Sequence, residues 1–215
     1  MFNFKNIDTI IFDLDGTLLD TVDDLSDSVN YALSFYGYPL KTKEDVRLAV
    51  GNGITKLMER TSPAGADISG LLEKFKEFYM GIKVSKTKPY DGIIELLTEL
   101  KKKNIKIGVL SNKFDRGTKL HCKMFFDGLI DFAQGEDSIN GILPKPNPKG
   151  VFKVMQALNA KNTIFAGDSE VDIQTAENAD IPCISVLWGL KTKEFLVQKG
   201  GKIFVNKPSE ILDML

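Results

Sequence analysis

The chain has 215 residues, of which 28 are basic and 29 acidic, for a formal net charge of −1. Nothing in that balance predicts a nucleic-acid or membrane surface, and no apolar run approaches the roughly 20 residues of a membrane-spanning helix. Two widely separated cysteines, Cys122 and Cys183, imply no disulfide framework, and no long apolar signal segment opens the chain, so the composition reads as a soluble, cytoplasmic protein.

In chain order, Ile10, Ile11 and Phe12 form the short apolar run of a strand covered on both faces. Asp13 and Asp15 follow, one apolar residue apart, then Gly16, which permits a sharp turn, and Thr17, which adds a hydroxyl. At ~4 Å and an effective dielectric near 20, two such charges repel by on the order of 4 kcal/mol. A divalent cation with oxygen ligands removes that repulsion, and Mg²⁺ favours few carboxylates plus a phosphate. This DxDGT stretch resembles the first motif of the haloacid-dehalogenase-like (HAD) phosphohydrolases.

From Thr21 to about Ile82 the periodicity turns helical. Val22, Leu25, Val29, Ala32 and Leu33 line a first helix, ended by Gly37 and Pro39. Val46 and Val50 line a second, broken at Gly51-Asn52-Gly53; Ile54, Leu57 and Met58 line a third; and Ile68 to Ile82 form a strongly amphipathic fourth. An all-helical insert at this place is similar to the small cap of the HAD group, which closes over the site and contacts the leaving group. The pattern from Val46 to Arg60, VRxxVGNGxxxLxxR, resembles the cap segment of the phosphoglycolate phosphatases. On one reading, backbone N–H groups at Gly51, Asn52 and Gly53 face an anionic substrate and Arg47 or Lys56 pairs with it. On the other, the glycines only turn the chain between helices and both cations are solvated. The residues leave both open.

Asp91 is a suitable N-cap for a helix over Gly92–Lys103. A strand over Ile105–Leu110 ends in Ser111-Asn112, where a hydroxyl and the N–H of an incoming helix suit a phosphate oxygen. His121 and Cys122, in a helix over Arg116–Phe125, read as structural, and a short strand follows over Leu129–Phe132. Lys145 lies between Pro144 and Pro146, which hold it extended. After a strand over Thr163–Ala166 comes Gly167-Asp168-Ser169-Glu170-Val171-Asp172, with Asp168 and Asp172 one helical turn apart. A strand over Ile181–Leu187, a loop at Trp188-Gly189 near but outside the chemistry and an edge strand over Lys202–Val205 complete the chain. Ser111, the KPxP around Lys145 and the GDSxxD around Asp168 resemble the second, third and fourth HAD motifs.

Strands alternating with amphipathic helices predict an α/β, three-layer Rossmann-like core with a parallel sheet, formed by residues 1–19 and 83–215, with an α-helical cap inserted over residues 20–82. The resemblance implies a phosphatase acting on a small phosphorylated metabolite with Mg²⁺ as cofactor. It implies Asp13 as nucleophile, Asp15 as acid and base, and Lys145 as fixed cation. It further implies Thr17, Ser111 and Asn112 at the substrate, and Asp13, Asp15, Asp168 and Asp172 around the metal. Phosphoglycolate is the expected substrate. Pyrophosphate, sugar phosphates, nucleotides, a phosphoglucomutase-like reaction and a non-catalytic phosphate-binding role are the alternatives. The chain is expected as a monomer or homodimer.

Overall fold

In the computed structural model, which describes residues 4–82 and 85–215 (of Lys5 the backbone only), the apolar run becomes β1 (Thr9–Phe12), with every residue fully buried. Pleating sends Ile10 and Phe12 to one face and Ile11 to the other. Ile10 and Phe12 pack with Leu96, Leu97, Leu100 and Phe126, while Ile11 packs with Val151, Val154 and Phe165. Each such side chain contributes about 1.5–3 kcal/mol by leaving water, so three residues of one strand anchor helices on both faces.

Two compact units divide the described chain: Met1–Leu19 with Pro89–Leu215, and Asp20–Lys88. The chain passes between them at two short paired strands, β2 (Leu19–Asp20) and β3 (Lys88–Pro89). The boundary expected at residue 83 falls on Lys83 and Val84, outside the described residues.

The first unit contains a six-stranded parallel sheet. Its strands are β1, β4 (Lys106–Phe114), β5 (Phe132–Glu136), β6 (Thr163–Gly167), β7 (Cys183–Val186) and β8 (Ile203–Val205), in the order β5-β4-β1-β6-β7-β8. The second unit holds α1 (Val22–Phe35), α2 (Lys43–Ala49), α3 (Gly53–Thr61) and α4 (Ile68–Gly81). There the apolar stripes of α1 and α4 meet, and Tyr31 stacks on Phe78 at 4.7 Å. Around the sheet lie α5 (Ile93–Lys102), α6 (Asp115–Phe126), α7 (Lys149–Leu158), α8 (Glu170–Asn178), α9 (Lys193–Gln198) and α10 (Ser209–Asp213). No helix among the described residues is long and apolar enough to cross a membrane.

Register decides where the polar residues emerge. Phe12 pairs with Val109 on one side and Ala166 on the other, so Asp13, Ser111 and Asp168 leave three adjacent strands at nearly one height. The neighbours of β1 connect in opposite directions, which makes this edge the switch point where open α/β sheets bind ligands.

Several local expectations need correction. Asp91 does not cap α5: Gly92 takes that place in the left-handed region, φ 85°, with no side-chain cap. β4 does not stop at Leu110 but runs to Phe114, and α6 begins only at Asp115, so the Asn112 N–H does not lie at a helix start. The strand expected at 129–132 is instead β5, while Leu129 and Ile130 pack half-buried against the core. Lys145 is not extended: Pro144 to Asn147 form a turn closed by the Asn147 N–H on the Pro144 carbonyl at 3.0 Å, with a cis Lys145–Pro146 peptide.

Candidate active site

Three carboxylates converge at the carboxyl edge of β1 and β6. Asp13, Asp168 and Asp172 are all buried and offer oxygens within 4.8 Å of one another. The Lys145 ammonium lies among them, 2.8 Å from Asp13 Oδ1 and donating to Asp172 Oδ1 at 2.6 Å. Each acid is fixed by a different element. The Asp13 N–H donates to the Ala166 carbonyl at 2.9 Å. Asp172 caps its own helix: the Ser169 N–H and hydroxyl donate to its Oδ2 at 3.0 and 2.6 Å, a capping box at the start of α8. Both Asp172 oxygens are therefore engaged, Oδ1 by Lys145 and Oδ2 by Ser169.

Asp168 sits in a cradle that sequence reading missed. The Thr17 hydroxyl donates to its Oδ1 at 3.1 Å and the Leu190 N–H to its Oδ2 at 2.7 Å. A Cβ on Gly16 would fall 2.6 Å from one Asp168 oxygen, and one on Gly189 would fall 2.4 Å from its Cβ. Only glycine lets the two loops approach so closely. The Trp188 ring N–H completes the contact by donating to the Thr17 carbonyl at 2.9 Å. The loop at 188–190, expected to lie near but outside the chemistry, thus forms one wall of this cluster. Thr17, expected at the substrate, spends its hydroxyl on Asp168.

Three carboxylates face one ammonium, and the electrostatics follow. Burial pushes the Asp13 carboxyl well above the usual carboxylate range; Lys145 pulls against this, and Asp172 and Asp168 add to it. Burial, reinforced by Asp172, lifts Asp168 to about 7 against the Leu190 N–H, the Thr17 hydroxyl and Lys145. Burial also opposes the charge on Lys145, but Asp13 and Asp172 outweigh it and hold the ammonium above its ordinary value. A buried, all-oxygen donor set short of positive charge fits a hard divalent cation such as Mg²⁺.

The second half of the site comes from β4. Opposite β5 its register slips: Leu110 pairs with Gln134 but Phe114 with Glu136, so residues 111–113 stand against Gly135 alone. Such a bulge redirects side chains. Ser111 and Lys113 are buried and two residues apart. The Asn112 side chain brackets Lys145: its amide donates to the Lys145 carbonyl at 3.2 Å, and its oxygen accepts the Lys145 N–H at 2.6 Å. Lys113, not anticipated, places its ammonium 3.1 and 3.2 Å from the two Asp15 oxygens. No spacing signal marks it, since a bulge breaks the two-residue alternation of a strand.

In the helical unit, Gly51 and Gly53 both have positive φ, 135° and 79°, and turn the chain between α2 and α3. Arg60 staples that turn, donating to the Ala49 carbonyl at 2.9 Å and Asn52 Oδ1 at 2.7 Å. Arg47 pairs with Glu44 at 2.6 Å and Lys56 with Glu59 at 2.6 Å. His121 sets its ring edge against Phe125, with centroids 5.8 Å apart.

Comparison with known proteins gives a consistent set. A family model described as Haloacid dehalogenase-like hydrolase matches residues 10–186. A phosphoglycolate phosphatase of Pseudomonas syringae pv. syringae is 32% identical, over 96% of this chain and 76% of its own. The pyrophosphatase PpaX of Anoxybacillus flavithermus is 28% identical, over 98% of this chain and 97% of its own. The crystal structure of a candidate phosphoglycolate phosphatase from Lactobacillus delbrueckii subsp. bulgaricus superposes with a TM-score of 0.88 at 31% identity, covering 95% of this chain and 96% of its own.

Proposed function

The chain belongs to the haloacid dehalogenase-like hydrolases and is a phosphatase of that family, and from that premise we propose that it hydrolyses 2-phosphoglycolate with Mg²⁺ through an aspartyl-phosphate on Asp13. The observation that carries this reading is the single Lys145 ammonium bridging Asp13 and Asp172 beside Asp168. That arrangement sets the Asp13 carboxylate in a buried acidic cluster that remains short of positive charge.

Asp13 attacks phosphorus, the P–O bond to the leaving group breaks, and Asp15 hands its proton to the departing oxygen. A water then attacks the phosphorus of the aspartyl-phosphate, Asp15 takes the water's proton, and phosphate leaves with the Asp13 carboxylate restored. The Ser111 hydroxyl, the Asn112 N–H and Lys145 bind the transferring oxygens. Thr17 and Leu190 hold Asp168, and Asn112 and Asp172 hold Lys145. The Asp13 and Asp168 carboxylates and the Asp15 carbonyl would hold Mg²⁺, which would supply further positive charge to the phosphoryl group.

Pyrophosphate is a second reading, favoured by the PpaX relative, which aligns over nearly its whole length rather than over three quarters of it. Phosphate release from both compounds, with Mg²⁺ and with EDTA, tests the proposal. We expect release from 2-phosphoglycolate with Mg²⁺ only and with the higher kcat/KM. Release that EDTA does not affect contradicts the metal, and a higher kcat/KM on pyrophosphate contradicts the substrate.

A further inference from the structure

The site contains a second buried ammonium for which the reaction above has no use. The Lys113 side chain is 4% exposed, against 56% and 60% for Lys56 and Lys86 in their surface pairs. Taking an ion pair out of water is poor value for stability, since apolar residues of like volume serve as well or better. Yet the fold fixes this one from several sides. The Lys113 N–H donates to Ser111 Oγ at 3.2 Å, and the Thr118 hydroxyl donates to the Lys113 carbonyl at 3.2 Å. A Cβ on Gly135, the residue opposite the bulge, would fall 2.5 Å from that carbonyl.

We propose that Lys113 is a specificity-determining residue that binds an anionic group carried by the leaving group. The substrates are then phosphate esters or anhydrides with a carboxylate or second phosphate within a few bonds of the bridging oxygen. This rests on reading Asp15 as the group that serves that oxygen. Lys145 is held by Asp13 and Asp172, on the side of the nucleophile. Lys113 is held by Asp15, on the side of the leaving group, and straddles both its oxygens at 3.1 and 3.2 Å. The bridging oxygen that Asp15 touches lies no more than two hydrogen-bond lengths from the Lys113 Nζ, and a group attached to it lies within a further bond or two. The bulge therefore aims Ser111 at the transferring phosphoryl and Lys113, two residues on, at what is attached beyond it. A carboxylate one carbon away, or the far phosphate of pyrophosphate, meets that cation; a neutral alcohol offers it no anion.

The test compares 2-phosphoglycolate with its uncharged amide in the Mg²⁺-loaded wild type, Lys113→Met and Lys113→Arg. Charge-assisted hydrogen bonds of this kind correspond to roughly 10–100-fold in kcat/KM. The wild type is expected to favour the acid by that factor, Lys113→Met to lose most of the preference through KM for the acid, and Lys113→Arg to recover part of it. Lys113→Gln replaces the Met variant if that one does not fold. A Met or Gln variant that keeps the wild-type preference, with both substrates falling together, overturns the inference. So does a wild type that turns over acid and amide alike, which leaves the phosphatase reading standing. No Mg²⁺-dependent release from either compound overturns both.

Discussion

Asp13 stands where its own charge is penalised. It is buried beside Asp168 and Asp172 with one lysine shared among them, and its carboxyl is pushed upward accordingly. Asp13→Asn mimics the neutral form, so the metal-free variant should melt higher than wild type, by about 2–4 °C for each kcal/mol of repulsion relieved. Turnover should fall by at least ~10⁴-fold in the same variant. A variant that melts lower, measured calorimetrically in EDTA, contradicts the electrostatic reading, and retained turnover contradicts the role. The acids and Lys145 were legible because each follows its own apolar strand or proline turn at a recognisable spacing. Lys113 and the Leu190 N–H were not. One depends on a bulge, which leaves no composition signal, and the other is a backbone donor that any residue supplies.

Among the elements, the start of α1 shows how a single acid secures a returning chain. Asp24 is buried and accepts the Lys86 N–H at 2.9 Å, the Thr87 N–H at 3.0 Å, the Thr87 hydroxyl at 2.6 Å and the Ser85 hydroxyl. Burial works against its charge, but these donors outweigh it and hold the carboxyl below its usual value. A depressed acid contributes stability above the unfolded pKa of about 3.9 and loses it as pH falls through the folded value. Asp24→Asn should therefore cost about 2 kcal/mol at pH 7, a gap that closes as pH drops below 4. Urea unfolding across that range checks it, and a gap independent of pH contradicts it. The helices α1 and α4 were readable from their 3.6-residue stripes. The extension of β4 was hidden because residues 111–113 are polar and look like a loop, while β5 buries Gln134 completely and breaks the expected apolar pattern. Leu129 and Ile130 misled for the converse reason: they are apolar but only half-buried, in the approach to the strand.

On the scale of the whole chain, the parallel sheet places Asp13, Ser111 and Asp168 at one edge because β4, β1 and β6 are neighbours in matched register. The order of strands could be anticipated only as a class, since alternation of helix and strand fixes the crossover hand but not which strands meet. Excess negative charge at that edge links stability to metal: Mg²⁺ at a hundredfold excess over Kd should raise the melting temperature by roughly 5–10 °C. Asp168→Asn should remove most of that rise, and an equal rise in the variant contradicts Asp168 as a ligand. The most direct measurement is chemical trapping of the covalent adduct: the protein is mixed with 2-phosphoglycolate and Mg²⁺, acid-quenched during turnover, reduced with borohydride and mapped by peptide mass spectrometry. Conversion of residue 13 to homoserine is the expected result. Homoserine at residue 15, or none during demonstrated turnover, contradicts Asp13 as the side chain that accepts the phosphoryl group.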